Sequence, residues 1–248
     1  MKSICLLMAL FLSLSLEAQN NKWRIYPSLG IDMGGATPFP FSDIPDGAKG
    51  TPKINPNLGF GFSHQLYNRW SLSLEVSYHL LAFSARADVR SQPFYFDNHQ
   101  DILYFSGNTS TDVELRFLEF PLLAEYSLNS RWSIALGAYY SRILEGSFKT
   151  SGTNGVLSDD KSITDTAPLP GVANTSYDFN NYLDAWDGGL LLGFWYGINQ
   201  KLYFWSRLQV GFKSIFVPEF DNIDYEMYQV RFSTGVSISL FSTRNEQL

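Results

Sequence analysis

Glu75, Ser77 and His79 stand two residues apart along one short stretch of this 248-residue sequence. In an extended segment that spacing puts all three side chains on one face. A serine, a histidine and a carboxylate are the parts of a nucleophilic hydrolase or acyl-transferase. A single strand stacks them in a column instead of converging them on one point, and no pair of N–H donors for an oxyanion is legible nearby. The stretch is expected to supply no catalysis, and the protein is expected not to be an enzyme.

Other chemistry is sparse. The histidines His64, His79 and His99 lack metal-ligand spacing. The acids Asp159, Asp160, Asp184, Asp187, Asp221 and Asp224 lack the pattern of a calcium loop. No glycine-rich phosphate loop is present. The single cysteine, Cys5, lies inside an apolar run at residues 4–16 that follows Lys2 and precedes the small residue Ala18. Residues 1–18 therefore read as a secretory signal peptide cleaved before Gln19. The exported chain then has no thiol, which removes disulfides, thiolate metal sites and cysteine nucleophiles together. No metal and no cofactor are expected.

What remains is a set of charges, Arg24, Glu75, Glu119, Glu125, Arg207 and Arg231, and the segments that carry them alternate in polarity with period 2. From Trp70 one parity reads Trp70, Leu72, Leu74, Val76 and Tyr78; the other reads Ser71, Ser73, Glu75, Ser77 and His79. The strings LYNRWSLSLEVSYH, LNSRWSIALGAYYS and INQKLYFWSRLQVG repeat one plan, an Asn and a cation followed by an alternating run.

Alternation predicts eight strands, at 23–34, 56–67, 70–85, 112–128, 131–147, 184–198, 200–217 and 226–241. Connections after the second, fourth and sixth are one or two residues long (Asn68-Arg69, Asn129-Ser130 and Asn199), while 35–55, 86–111, 148–183 and 218–225 are longer and rich in Gly, Pro, Asp and Ser. In an up-and-down sheet all short turns fall at one end and all long loops at the other. That asymmetry, with no apolar run long enough for a membrane helix, predicts residues 19–248 to be an all-β, eight-stranded antiparallel up-and-down transmembrane β-barrel in the cell outer membrane. The soluble alternative is a lipocalin-like barrel with its apolar parity inward. Against it, the opposite parity is mostly Ser and Gly, a poor water-facing coat, and the strands exceed the about 9–11 residues that cross a bilayer.

With the apolar parity toward lipid, the six charges point into a lumen that side chains can fill. Counting from the short-turn end puts Arg24 and Glu125 low, Glu75 and Arg207 near the middle, and Glu119 and Arg231 higher. A charge in a dry lumen must be paired or it neutralises. The expectation is an internal salt-bridge network that plugs the barrel. Trp23, Trp70, Trp132, Tyr126 and Tyr196 fall where a membrane-interface belt belongs. Phe39, Phe41, Phe94, Phe96, Tyr104 and Phe105 in the long loops are candidates for docking another protein.

Net charge is −6 without a basic cluster, which excludes a nucleic-acid partner. The partners expected are outer-membrane lipid and other outer-membrane or periplasmic envelope proteins.

The segment Arg116 to Tyr126, RFLEFPLLAEY, resembles the signature of the PorT-like outer-membrane β-barrel family, small porin-like barrels of Gram-negative envelopes. The match falls on Glu119, Phe120, Pro121, Leu122, Leu123 and Tyr126, and the layout of the chain is similar throughout. The resemblance implies an accessory or structural role in a larger envelope complex, in protein secretion through the type IX pathway. The alternative reading is a stand-alone transporter for small solutes, with a lateral opening near Pro121 or the glycines Gly189, Gly193 and Gly197; a lipid-modifying enzyme comes third. Pro121 removes a ladder hydrogen bond, so a bulge or local break is expected beside Glu119.

Overall fold

The computed structural model describes residues 23–39, 47–95, 102–158, 160, 175–220 and 226–242. The alternating segments form β1 (Trp23–Pro38), β3 (Asn55–Tyr67), β4 (Trp70–Tyr95), β5 (Ile102–Ser127), β6 (Trp132–Ser158), β8 (Trp186–Gly197), β9 (Leu202–Ser214) and β10 (Met227–Ile238). Short additions are β2 (Lys49–Pro52), β7 (Thr175–Asp178) and β11 (Phe241–Ser242). Each long strand pairs antiparallel with the next, and β10 returns to β1 in register from Ser28↔Ser237 to Pro38↔Met227. The eight long strands thus close into a ring, which leaves no open sheet edge around the barrel wall.

The repeated turn string has a local cause. The Asn129 Oδ1 accepts from the backbone N–H groups of Arg131 and Trp132, at 2.9 and 3.0 Å. The Asn199 Oδ1 does the same for Lys201 and Leu202, at 2.9 Å each. An Asn at that position therefore starts the next strand by occupying two donors that the tight turn leaves over. Asn68 solves the first turn differently, with a left-handed φ of 42° that asparagine tolerates.

The parity expected to face lipid does face outward. Leu58, Leu74, Leu136, Leu190 and Phe212 are among the exposed apolar side chains, and they ring the barrel together with residues from every other long strand. No helix among the described residues is long and apolar enough to cross a membrane. The crossing elements are the strands.

The loops are shorter than expected. The segment 86–111 is mostly a hairpin in which β4 runs to Tyr95 and β5 starts at Ile102, and β6 continues to Ser158. The extensions rise about a dozen residues beyond the rest of the barrel, roughly 40 Å of strand. Their Ser, Thr and Asn content read as loop, yet threonine is a good strand former, and Thr111 and Thr150 hydrogen-bond across the pair at 2.9 Å. β2 pairs with β4 and β7 with β6 at the base of this blade. Bulges interrupt it near Ser91 (φ 51°) and Asn154 (φ 53°), which twists the exposed edges. The last strand also ends earlier than expected, at Ile238, and resumes only as β11. Residues 1–18, read as a signal peptide, lie outside the described residues.

Pro121 behaves in part as its chemistry requires. The β4–β5 register runs Leu74↔Leu122 and then Ser77↔Glu119 without a shift, and no pair forms at Glu75 or Val76 between them. The ladder lapses where the proline has no N–H to give. The register-shifting bulge lies elsewhere, at Arg116/Phe117 against β6.

Candidate functional site

The lumen is the densest collection of polar chemistry in the molecule, and it is layered. In the lowest layer Arg24 on β1 meets Glu125 on β5 at 3.1 Å, and Ser73 on β4 donates to the other oxygen of the same carboxylate. In the middle layer Arg207 on β9 meets Glu75 on β4 at 2.6 Å, and the Tyr26 hydroxyl donates to Glu75 at 2.7 Å. The Arg207 guanidinium lies 4.9 Å from the Trp195 ring and 4.7 Å from the Trp205 ring. Such stacking suits a guanidinium, which is weakly hydrated and planar.

The upper layer is the most connected. Arg231 on β10 donates to Glu119, and its Nε donates to the Gln209 Oε1 at 3.0 Å. Glu119 also accepts from Gln209 at 2.6 Å and from Ser141 at 3.3 Å. The arginine is 0% exposed and Glu119 1% exposed. Counting heights along the strands had put these same six residues together two by two. Opposite charges here neutralise one another, the main condition for burial of charge, while the Arg207 Nε and the Arg231 Nη1 have no hydrogen-bond partner among the described residues.

Ser77 and His79 sit in this upper layer, and their carboxylate partner differs from the one their spacing brought to mind. The Ser77 hydroxyl is 2.8 Å from the His79 Nε2, and the His79 Nδ1 is 2.6 Å from the Asp32 Oδ2 of β1. Glu75 is engaged by Arg207 and Tyr26 instead. Asp32 accepts from Asn57 at 2.7 Å as well. The order serine, histidine, aspartate is that of a hydrolytic triad, but its surroundings are not. The space beside Ser77 is about 10 Å³, room for one water and no substrate. Glu119 lies 3.7 Å from the His79 Nε2, and the Phe117 ring stacks on the imidazole at 5.0 Å. The triad locks β1, β3 and β4 to one another. Among the described residues no group of His, Cys, Asp and Glu could hold a metal ion.

Above the polar layers the lumen turns apolar. Leu81, Phe83, Val113, Leu115, Phe117 and Phe148 form the wall of a buried cluster that Phe179, Phe216 and Met227 complete from the loops and β10. The Phe148 and Phe216 rings meet edge-on at 5.0 Å, and Phe216 stacks on Phe220 at 4.2 Å. Sequence reading left Phe179, Phe216 and Trp195 without a role. Parity alone places Trp195 inward, since it shares the face of Gly193 and Gly197, but a fold is needed to show which rings meet.

The interface aromatics come together in pairs on the outside. Trp70 lies 4.9 Å from Tyr126, Trp132 lies 4.3 Å from Tyr196, and Trp23 stacks on His64 at 3.8 Å. The docking candidates separate. Phe39 is 61% exposed, edge-on to Tyr228, and Tyr104 is half-buried. Phe105 is a correction: it is 3% exposed, because its ring fills the space above Gly152 and Gly155 inside its own hairpin. Phe41, Phe96 and the side chain of Phe94 lie outside the described residues. Of the glycines considered as a lateral opening, Gly189 and Gly193 are filled likewise. A Cβ at Gly193 would lie 2.4 Å from the Trp195 ring, one at Gly189 would lie 2.1 Å from the Val210 carbonyl oxygen, and β8 pairs continuously with β6 and β9.

A closed antiparallel ring, apolar outside and charged inside, defines an outer-membrane β-barrel, and the cell outer membrane is its place. The chain belongs to the family described as outer membrane protein beta-barrel domain, which matches residues 17–217. No curated protein matches. Among solved structures the chain is similar to Ail, the attachment invasion locus protein of Yersinia pestis, in complex with a heparin analogue (8% identity, 88% of this chain and 97% of that chain, TM-score 0.39). It is similar to Neisserial surface protein A (9% identity, 88% and 97%, TM-score 0.38). It is also similar to the outer membrane protein OprG from Pseudomonas aeruginosa (12% identity, 87% and 94%, TM-score 0.33).

Proposed function

We propose that this barrel is a sealed, non-enzymatic structural protein that serves as an accessory subunit of a larger envelope complex. The observation that carries the reading is the double closure of the lumen, by charge pairs in three layers and by the apolar cluster above them. A solute has no path through such a barrel, so its work falls to the surfaces outside it. The blade of β4, β5 and β6, standing well clear of the membrane, and the exposed Phe39 supply such surfaces. The RFLEFPLLAEY segment resembles the PorT-like signature, and protein secretion is the process in which this reading places the subunit.

Mild-detergent isolation of the tagged protein from native outer membranes, read by mass spectrometry, tests the proposal. The comparison is a truncated form in which a two-residue hairpin turn joins Arg86 to Ser110, which are register partners. Stoichiometric envelope partners that are retained by the full chain and lost on truncation or on Phe39→Ser are expected. Recovery of both forms free of partners would end the subunit reading.

A further inference from the structure

We propose that the periplasmic end of the lumen is a binding cup for a small oxyanion, a phosphate or a carboxylate offered from the periplasm. The cup opens below the Arg24–Glu125 pair at the short-turn end and has a volume of about 60 Å³. That is about four times the least volume that houses a water.

Three features give the cup its preference. The first is charge. Glu125 is already satisfied, one oxygen by Arg24 and the other by Ser73. The remaining charged group on the wall is Arg131, and among the described residues no carboxylate lies within 4.0 Å of it. The cup therefore carries one positive charge in excess.

The second is a surplus of donors. The hydroxyls of Ser63, Ser71 and Ser130 line the cup and take no hydrogen-bond partner among the described residues. An anionic oxygen accepts several such donors at once, and bonds of this kind are about twice as strong as neutral ones.

The third is Trp195. It lines the cup, is 2% exposed, and its buried Nε1–H has no partner among the described residues. Its six-membered ring turns up the strand, so that a Cβ on Gly193 would lie 2.4 Å from Cζ3. Arg207 on the ring face draws electron density from the indole and strengthens the N–H as a donor. A buried donor without an acceptor is costly, and a turn of the ring that brings it to an oxyanion in the cup would satisfy it. The salt bridge above closes the way upward, so the site binds and does not conduct.

The test uses the full exported chain, folded in detergent micelles or nanodiscs, with its tryptophans labelled with ¹⁵N. Trp195→Phe identifies one of the six indole signals as that of Trp195. Inorganic phosphate is titrated at constant ionic strength against chloride, and in a second arm a short peptide with a free terminal carboxylate is compared with its amide. A saturable shift of the Trp195 indole is expected with phosphate or with the carboxylate peptide, and the tighter of the two names the source of the ligand. Arg131→Ala, in an exposed turn, is expected to weaken it by about tenfold or more while heat-modifiable mobility shows the barrel intact. A shift that does not saturate, that chloride reproduces, or that Arg131→Ala leaves unchanged would overturn the proposal.

Discussion

Glu119→Ala is expected to lower the stability of the folded barrel by about 3–5 kcal/mol, the usual cost of stranding one member of a buried ion pair. Arg231 has no water to turn to, being 0% exposed, and without Glu119 its nearest partner is the neutral Gln209. Gln209 and Ser141 lose an acceptor at the same time. The pair itself need not be stabilising, since removing two charges from water offsets most of their attraction. A double variant, Glu119→Leu with Arg231→Met, separates these effects and is expected to recover most of the loss. Urea titration in lipid vesicles, followed by tryptophan fluorescence, measures all three proteins. A single variant as stable as the parent would show the upper layer to be hydrated, contrary to its burial. Arg116 and Glu145, 2.6 Å apart and more than half exposed, are the contrast: breaking that pair is expected to change stability by about 1 kcal/mol or less.

Trp205→Ala is the second large effect, about 3–5 kcal/mol by the usual cost of deleting a buried tryptophan. The ring is 3% exposed and is seated on glycines: a Cβ at Gly30 or at Gly235 would lie 2.7 Å from it. Those two positions leave no side chain that could move in to fill the gap. Arg207 also loses one of the two ring faces that hold it in the middle layer. The reverse change, Gly235→Val, overpacks the same contact and is expected to cost about 1–3 kcal/mol. The urea titration checks both. Equal stability of Trp205→Ala and the parent would mean that the lumen can collapse onto the gap, which the closed ring of strands resists.

Much of this architecture was legible in residue order. Period 2 put Leu74 and Leu136 outside and Glu75 inside, because a strand offers only two faces and one had to be apolar. Height along a strand sufficed to bring Arg24 to Glu125 and Arg231 to Glu119, since the six charges are few and the lumen is narrow. Places beside short turns put Trp70, Tyr126, Trp132 and Tyr196 at the interface, while their meeting as Trp70–Tyr126 and Trp132–Tyr196 depends on the strand pairing. What stayed hidden depends on contacts between distant strands. Asp32 carries only the polar parity of β1; its role as the partner of His79 requires that β1 and β4 meet over β3. Phe105 read as an exposed loop residue because the glycines that receive it, Gly152 and Gly155, lie far along the chain. The blade was hidden for another reason. Its serines, threonines and asparagines carry no apolar alternation, as no face of it needs to meet lipid, and the pattern that reveals the lower strands is absent there.

Single-channel recording of the purified protein in a planar bilayer tests the central claim most directly. A lumen closed by three charge layers and an apolar cluster is expected to give no steps above the noise at moderate voltage. The recording should stay silent between neutral and mildly alkaline pH, with heat-modifiable mobility confirming insertion of folded barrels. Stable open-channel steps of porin size from the folded protein would contradict the sealed lumen, and with it the assignment of its work to the surfaces outside.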